Sequence, residues 1–133
     1  MASRGILSYG AYLPYRRLDR SAIRPVAGTG GGRGQRTVAS YDEDATTMAV
    51  AAARTALAAA PEGAAPRSLW FATVSPPYLD KTNATAVHAA LRLDPAAPAF
   101  DVNGAVRSAV GALDAGLGGG GPALVVAGEV RTG

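Results

Sequence analysis

A chain of 133 residues suffices for one domain with a real core and rarely for two. Apolar residues make up 48% of it, which excludes a disordered tail; the net charge of +3 comes from scattered arginines and one lysine, without the basic patch that nucleic-acid binding needs. There is no cysteine and one histidine, His88, which excludes disulfides, thiol catalysis and cysteine- or histidine-based metal sites within the chain, so no metal is expected.

The amino-terminal stretch MASRGILSYGAYLP has no long apolar core and no small-residue cleavage site, so it does not read as a signal peptide. No run of about 18 apolar residues exists to span a membrane, and a cytoplasmic location is expected. Gly5 to Leu13 predicts a first strand, stopped by Pro14. Tyr15 to Ile23 is basic and polar and predicts a short helix before Pro25. Residues 24–34, with the run GTGGGRG, read as a flexible glycine-rich linker inside a single unit of residues 1–133. Such a loop cradles phosphate when it runs from a strand into a helix, whereas this one leads into Gln35 to Ser40, which reads as extended.

Asp42 to Ala60 gives the clearest helical signal. Asp42, Glu43 and Asp44 put negative charge at its start, where the helix dipole favours it; capping explains the triplet better than metal ligation. Pro61 and Gly63 end it. Leu69 to Val74 is a short continuous apolar run, as a strand buried on both faces requires. Ser75 to Tyr78 forms a rigid loop, and Lys81 to Leu91 a further helix whose His88 has no partner at catalytic spacing and reads as a surface or packing residue.

The stretch AFDVNGAVRSAVGAL, Ala99 to Leu113, organises the rest. Phe100 and Val102 predict a strand, Asn103-Gly104 a tight turn, and Val106, Ala109, Val110 and Leu113 recur at helical spacing. A helix opening straight off a strand aims its first amides at one spot, a place suited to a nucleophile. Gly118 to Pro122 predicts a turn and Ala123 to Val130 a last strand. Strands alternating with helices predict an α/β fold with a mostly parallel sheet and crossover helices, including Ile6–Leu13, Leu69–Val74, Ala99–Val102 and Ala123–Val130. Ligands of such sheets bind outside the carboxyl ends of the strands, where Ser75 to Lys81 and Asn103 to Arg107 are expected. The helix from Val106 to Leu117 is apolar nearly all round, which predicts an uncovered apolar face and either self-association or a partner chain.

Five segments in order carry a resemblance: SYGAYLPYRRL (Ser8 to Leu18), GRGQRTVASYDEDATTMAVAAARTAL (Gly32 to Leu57), SPPYLDKTNATAVHAAL (Ser75 to Leu91), AFDVNGAVRSAVGAL and ALVVAGEVRTG. Together they resemble the thiolase superfamily, specifically the amino-terminal half of archaeal-type hydroxymethylglutaryl-CoA synthases and their ketoacyl-ACP synthase III relatives. The resemblance implies a fold of two similar halves and a dimer. It also implies a condensation in which a cysteine takes an acyl group from CoA, a glutamate acts as acid/base and a histidine stands in the second half. On this chain the cysteine position falls on Val106 and the glutamate position on Val74, while the histidine and the second half lie beyond Gly133. Ser108 is the nearest hydroxyl, but two residues along a helix is about 200° of rotation, which turns it elsewhere. Asp80 and Lys81 are candidate contacts for a bound acyl-CoA; no covalently bound cofactor is expected. The resemblance thus implies an acyltransferase relative that is inactive alone, a pseudoenzyme. The alternatives are a non-catalytic half paired with a partner chain, a truncated fragment, or a small acyl-CoA-binding or acyl-transfer module.

Overall fold

A computed structural model describes residues 4–131. The chain divides into two compact units, one formed by residues 4–12 together with residues 44–131, the other by Leu13–Glu43.

The smaller unit is built on two antiparallel strands, β1 (Arg16–Asp19) and β2 (Gln35–Val38), with Arg16 opposite Val38 and Asp19 opposite Gln35. The helix expected over Tyr15 to Ile23 is therefore a strand for its first part: residues 16–19 pair with β2, and a paired backbone overrides a weak helical pattern. Asp19 then caps a 3-10 turn at Arg20–Ala22 by accepting from Ser21, and a short helix, α1 (Ile23–Ala27), follows. Pro25 sits inside that helix without breaking it, because the first-turn amides have no intrahelical partner to lose. Residues 28–34 connect α1 to β2.

The larger unit carries α2 (Ala45–Ala58), β3 (Ser68–Thr73), α3 (Asn83–Leu91), β4 (Ala99–Asn103), α4 (Ser108–Gly118) and β5 (Ala123–Ala127). Its three strands form a parallel sheet in the order β4-β3-β5, with Trp70 aligned to Phe100 on one side and Val125 on the other. Strand alternation sends Leu69, Phe71, Leu124 and Val126 to one face, where they form a buried core with Ala45, Ala49 and Ala53 of α2 and Ala84 and Val87 of α3. On the opposite face Trp70 stacks on Phe100, centroids 4.4 Å apart, and α4 lays Gly116 against Val125 and Trp70.

The parallel α/β reading of residues 68–127 holds, and the corrections fall at its margins. Ile6–Leu13 is not a strand of the sheet: among the described residues it pairs with no strand. The helix expected from Asp42 begins at Ala45, because Asp44 is its cap; α3 begins at Asn83 rather than Lys81, and α4 at Ser108 rather than Val106. The last strand ends at Ala127, where Gly128 still donates to Ala72 but Glu129 turns across the strand ends. Among the described residues no helix is long and apolar enough to cross a membrane.

Asp44 and Thr47 form a reciprocal cap: the Thr47 amide donates to Asp44 Oδ1 at 2.8 Å and the Asp44 amide to Thr47 Oγ1 at 2.7 Å. Burial alone raises the Asp44 carboxyl, but hydrogen bonds from Thr46 and Thr47 outweigh it and hold the carboxyl below its ordinary value. A carboxyl lowered in the folded state stabilises the fold fully above its unfolded pKa and loses that contribution as the pH falls through the lowered value. Asp44→Ala is therefore expected to cost about 0.5–2 kcal/mol at neutral pH. In urea titrations the gap between variant and parent should narrow towards pH 2; a gap that stays constant would show that the carboxylate is not what caps α2.

Candidate functional site at the carboxyl ends of the strands

The loops that leave β3, β4 and β5 all emerge at one end of the parallel sheet, where a doubly wound fold presents its crevice. Val74 is the first residue beyond β3 and is partly exposed. Val106 lies in the turn between β4 and α4, 61% exposed, two residues ahead of the first helical residue. Neither side chain carries a group that ionises or attacks carbon. Gly104, with φ +119°, makes the turn at a conformation that side chains rarely adopt.

Ser108 has its hydroxyl engaged in that turn: Oγ accepts from the Ala105 amide at 3.2 Å and donates to the Asn103 carbonyl at 3.3 Å. Asp80 and Lys81 are exposed in the loop after β3, and the Lys81 ammonium stands 3.9 Å from the centre of the Tyr78 ring. His88 lies away from this end, its Nε2 3.1 Å from the Asp94 carbonyl oxygen below α3.

Three residues at this end, Glu129, Asp101 and Asn83, are ones that the sequence reading did not single out. Glu129 reaches from the end of β5 to the end of β3, where Oε1 accepts from the Val74 amide at 2.9 Å and Oε2 accepts from Ser75 Oγ at 3.3 Å. Ser75 Oγ in turn accepts from the Val130 amide at 3.0 Å, so the two chain segments are cross-laced. Asp101, on the core face of β4, caps α3 from outside it, accepting from the Asn83 amide and Nδ2 and from the Ala84 amide at 2.5–3.0 Å. Thr82, the residue at the cap position, makes no side-chain cap of its own. Asn83 is buried and exchanges hydrogen bonds with both the amide and the carbonyl of Tyr78, which fastens the Ser75 to Lys81 loop to the sheet. An acid inside an apolar strand, as in AFDVN, and an acid one glycine past an apolar run, as in VVAGE, are the only hints the sequence offers.

Phe100, Val106, Val110, Leu113 and Leu117 remain exposed to between 38% and 62%, so the uncovered apolar stripe expected on α4 is present.

No family model matches the chain. A hydroxymethylglutaryl-CoA synthase of Thermococcus sibiricus is 39% identical over 116 residues, 86% of this chain and 33% of that protein. The priming β-ketosynthase of the R1128 polyketide biosynthetic pathway superposes with a TM-score of 0.80 at 26% identity, over 96% of this chain and 42% of its own. The chain carries part of a thiolase-type condensing-enzyme fold. PksG, a hydroxymethylglutaryl-CoA synthase from Bacillus, shares that fold at a TM-score of 0.82 and 22% identity, covering 98% of this chain and 36% of its own. The thiolase-type chain thus spans about a third of the length of the curated relatives it matches.

Proposed function

We propose that this chain is one part of a thiolase-type acyl-CoA site that holds an acyl thioester without itself forming an acyl-enzyme, and that polypeptide outside it completes the site. The observation that carries this reading is the pair of valines, Val106 and Val74, at the positions that the sequence resemblance assigns to the cysteine and the glutamate. A valine has no electron pair to attack a thioester carbon and no proton to move. The polar groups near them do not substitute. The Ser108 hydroxyl is taken up in the β4–α4 turn, and the Glu129 carboxylate accepts from Val74 and Ser75. Asp80 and Lys81 are the candidate contacts for the polar part of an acyl-CoA, with Lys81 positioned over Tyr78. The exposed stripe on α4 supports a second chain or a second copy covering this end. Under this reading the protein is cytoplasmic, an acyltransferase relative without the covalent step.

Incubation with acetyl-CoA should leave the intact mass of the protein unchanged. A stable acetyl adduct on Ser108 would overturn the proposal and make the serine the nucleophile. Val106→Cys alone should not create synthase activity. Val74 would still lack a carboxylate, and general acid–base catalysis is worth about 10²–10⁴-fold.

A further inference from the structure

The chain has two asparagines, Asn83 and Asn103, and the structure treats them in opposite ways. Asn83 is buried and its whole side chain is engaged. Nδ2 donates to the Tyr78 carbonyl and to Asp101 Oδ2, both at 3.0 Å, and Oδ1 accepts from the Tyr78 amide at 3.0 Å. The amide that follows it, that of Ala84, donates to Asp101 Oδ1.

Asn103 is exposed, at the last position of β4, an edge strand. It is followed by Gly104, at φ +119°, where an added Cβ would meet nothing within 4 Å. Among the described residues no hydrogen bond engages the Asn103 side chain or the Gly104 N–H. Ser108 alone holds the peptide unit between them: its hydroxyl donates to the Asn103 carbonyl at 3.3 Å, longer than such bonds usually are. A glycine amide is the least hindered nucleophile the main chain offers, because no side chain stands beside the nitrogen.

We propose that Asn103 is a modification site, at which the chain converts itself to aspartyl and isoaspartyl forms. The Gly104 nitrogen bonds to Asn103 Cγ, and the Cγ–Nδ2 bond breaks. The proton of the Gly104 amide passes through water to the departing nitrogen, which leaves as ammonia, and a succinimide ring remains. Water then opens the ring at either carbonyl. Opening at Cγ gives ordinary aspartate. Opening at the main-chain carbonyl leaves the chain running through Cγ, an isoaspartyl link. Water is the only co-reactant. For the nitrogen to reach Cγ the Asn103–Gly104 peptide unit has to swing, and Gly104 takes up the swing without a clash. What opposes it is the hydrogen bond from Ser108, which acts as a latch. Either product places a carboxylate on a turn, residues 103–108, that carries none. It stands at the end of the sheet where Val74 and Val106 offer no ionisable group. In the isoaspartyl form the carbonyl that Ser108 holds becomes that carboxylate, and the chain ahead of α4 is longer by a methylene.

The test incubates the whole chain, at neutral and at mildly alkaline pH, beside a synthetic peptide of residues 93–107. Brief trypsin digestion separates the two asparagines, one in residues 82–92 and the other in residues 93–107. Mass spectrometry should show –NH₂ replaced by –OH at Asn103, in two chromatographically distinct products with the isoaspartyl form in excess. Asn83 should stay unchanged. The latch is a single hydrogen bond, worth about 2–10-fold, so the folded chain should convert no slower than about a tenth of the peptide's rate. Ser108→Ala should convert faster than the parent by about the same 2–10-fold, with an unmodified Asn83 reporting that the variant is folded. Both rates should rise with pH, because the attacking nitrogen must lose its proton. Conversion of the chain more than about tenfold slower than the peptide, a folded Ser108→Ala variant no faster than the parent, or equal conversion of Asn83 would each overturn the proposal. No acyl-CoA or partner chain enters the experiment, so its outcome is independent of the acyl-CoA reading.

Discussion

Asp101→Ala should be among the most damaging single substitutions in the larger unit. Each hydrogen bond to a charged acceptor contributes about 1.5–3 kcal/mol, and three donors, the Asn83 amide and Nδ2 and the Ala84 amide, lose theirs at once. Asn83 is buried and has no water to turn to, so the loss is expected at or above the top of that range. The effect should also be local. With α3 uncapped and Asn83 unsupported, the two hydrogen bonds to Tyr78 weaken and the loop carrying Asp80 and Lys81 comes loose. Denaturant titration gives the global cost, and amide exchange at Tyr78, Asn83 and Ala84 gives the local one. Asp101→Asn, which keeps one accepting oxygen, should fall between parent and alanine. A cost within the ±0.5 kcal/mol of an ordinary surface change would show that something other than Asp101 holds the loop.

Gly128→Ala should destabilise for a steric reason. A Cβ at that position would run into the Ala45 carbonyl oxygen, in the first turn of α2, and lie 3.4 Å from the Ala49 Cβ. Backbone cannot swing aside as a side chain does, so either α2 or the end of β5 has to move, at about 1–3 kcal/mol for an overpacked core. Movement at β5 carries Glu129 with it, so Val74 and Val130 should lose amide protection along with the global stability. Gly118→Ala, where a Cβ meets nothing within 4 Å, is the control and should be close to neutral. Equal costs for the two glycines would remove the contact with Ala45 as the explanation.

The residues that wrote themselves plainly into the sequence were those whose neighbours are local. The run Leu69 to Val74 and the stretch Ala99 to Leu113 announce strand, turn and helix through apolar spacing and one obligatory glycine, and the parallel sheet follows from their alternation with helices. Residues 5–13 misled because an apolar, glycine-bounded run looks the same whether or not a strand lies beside it. Tyr15 to Ile23 misled because its strand exists only through pairing with Gln35–Val38. Helix starts were placed two or three residues early: Asp44 caps α2 from just ahead of it, and α3 takes its cap from Asp101, later in the chain, rather than from Thr82. At the carboxyl ends of the strands, the places of Val74 and Val106 were readable from the apolar runs alone. Glu129 and Asp101 were not, since what each does depends on amides far away in the chain.

The order β4-β3-β5 also dictates how this chain must come into being. Its central strand, β3, carries no charge, and both of its neighbours are synthesised later, each after a crossover helix. Leu69 meets Ala99 on one side and Leu124 on the other, so no hairpin can shelter it early. From the time Thr73 leaves the ribosome until Asn103 does, β3 has two open edges and an uncharged surface, and it keeps one open edge until Ala127 follows. That is the interval in which parallel sheets fold slowly and pair with the wrong neighbours. The yield of folded protein in a cell should therefore depend on how quickly, and how well guarded, the stretch from α3 to β5 is delivered.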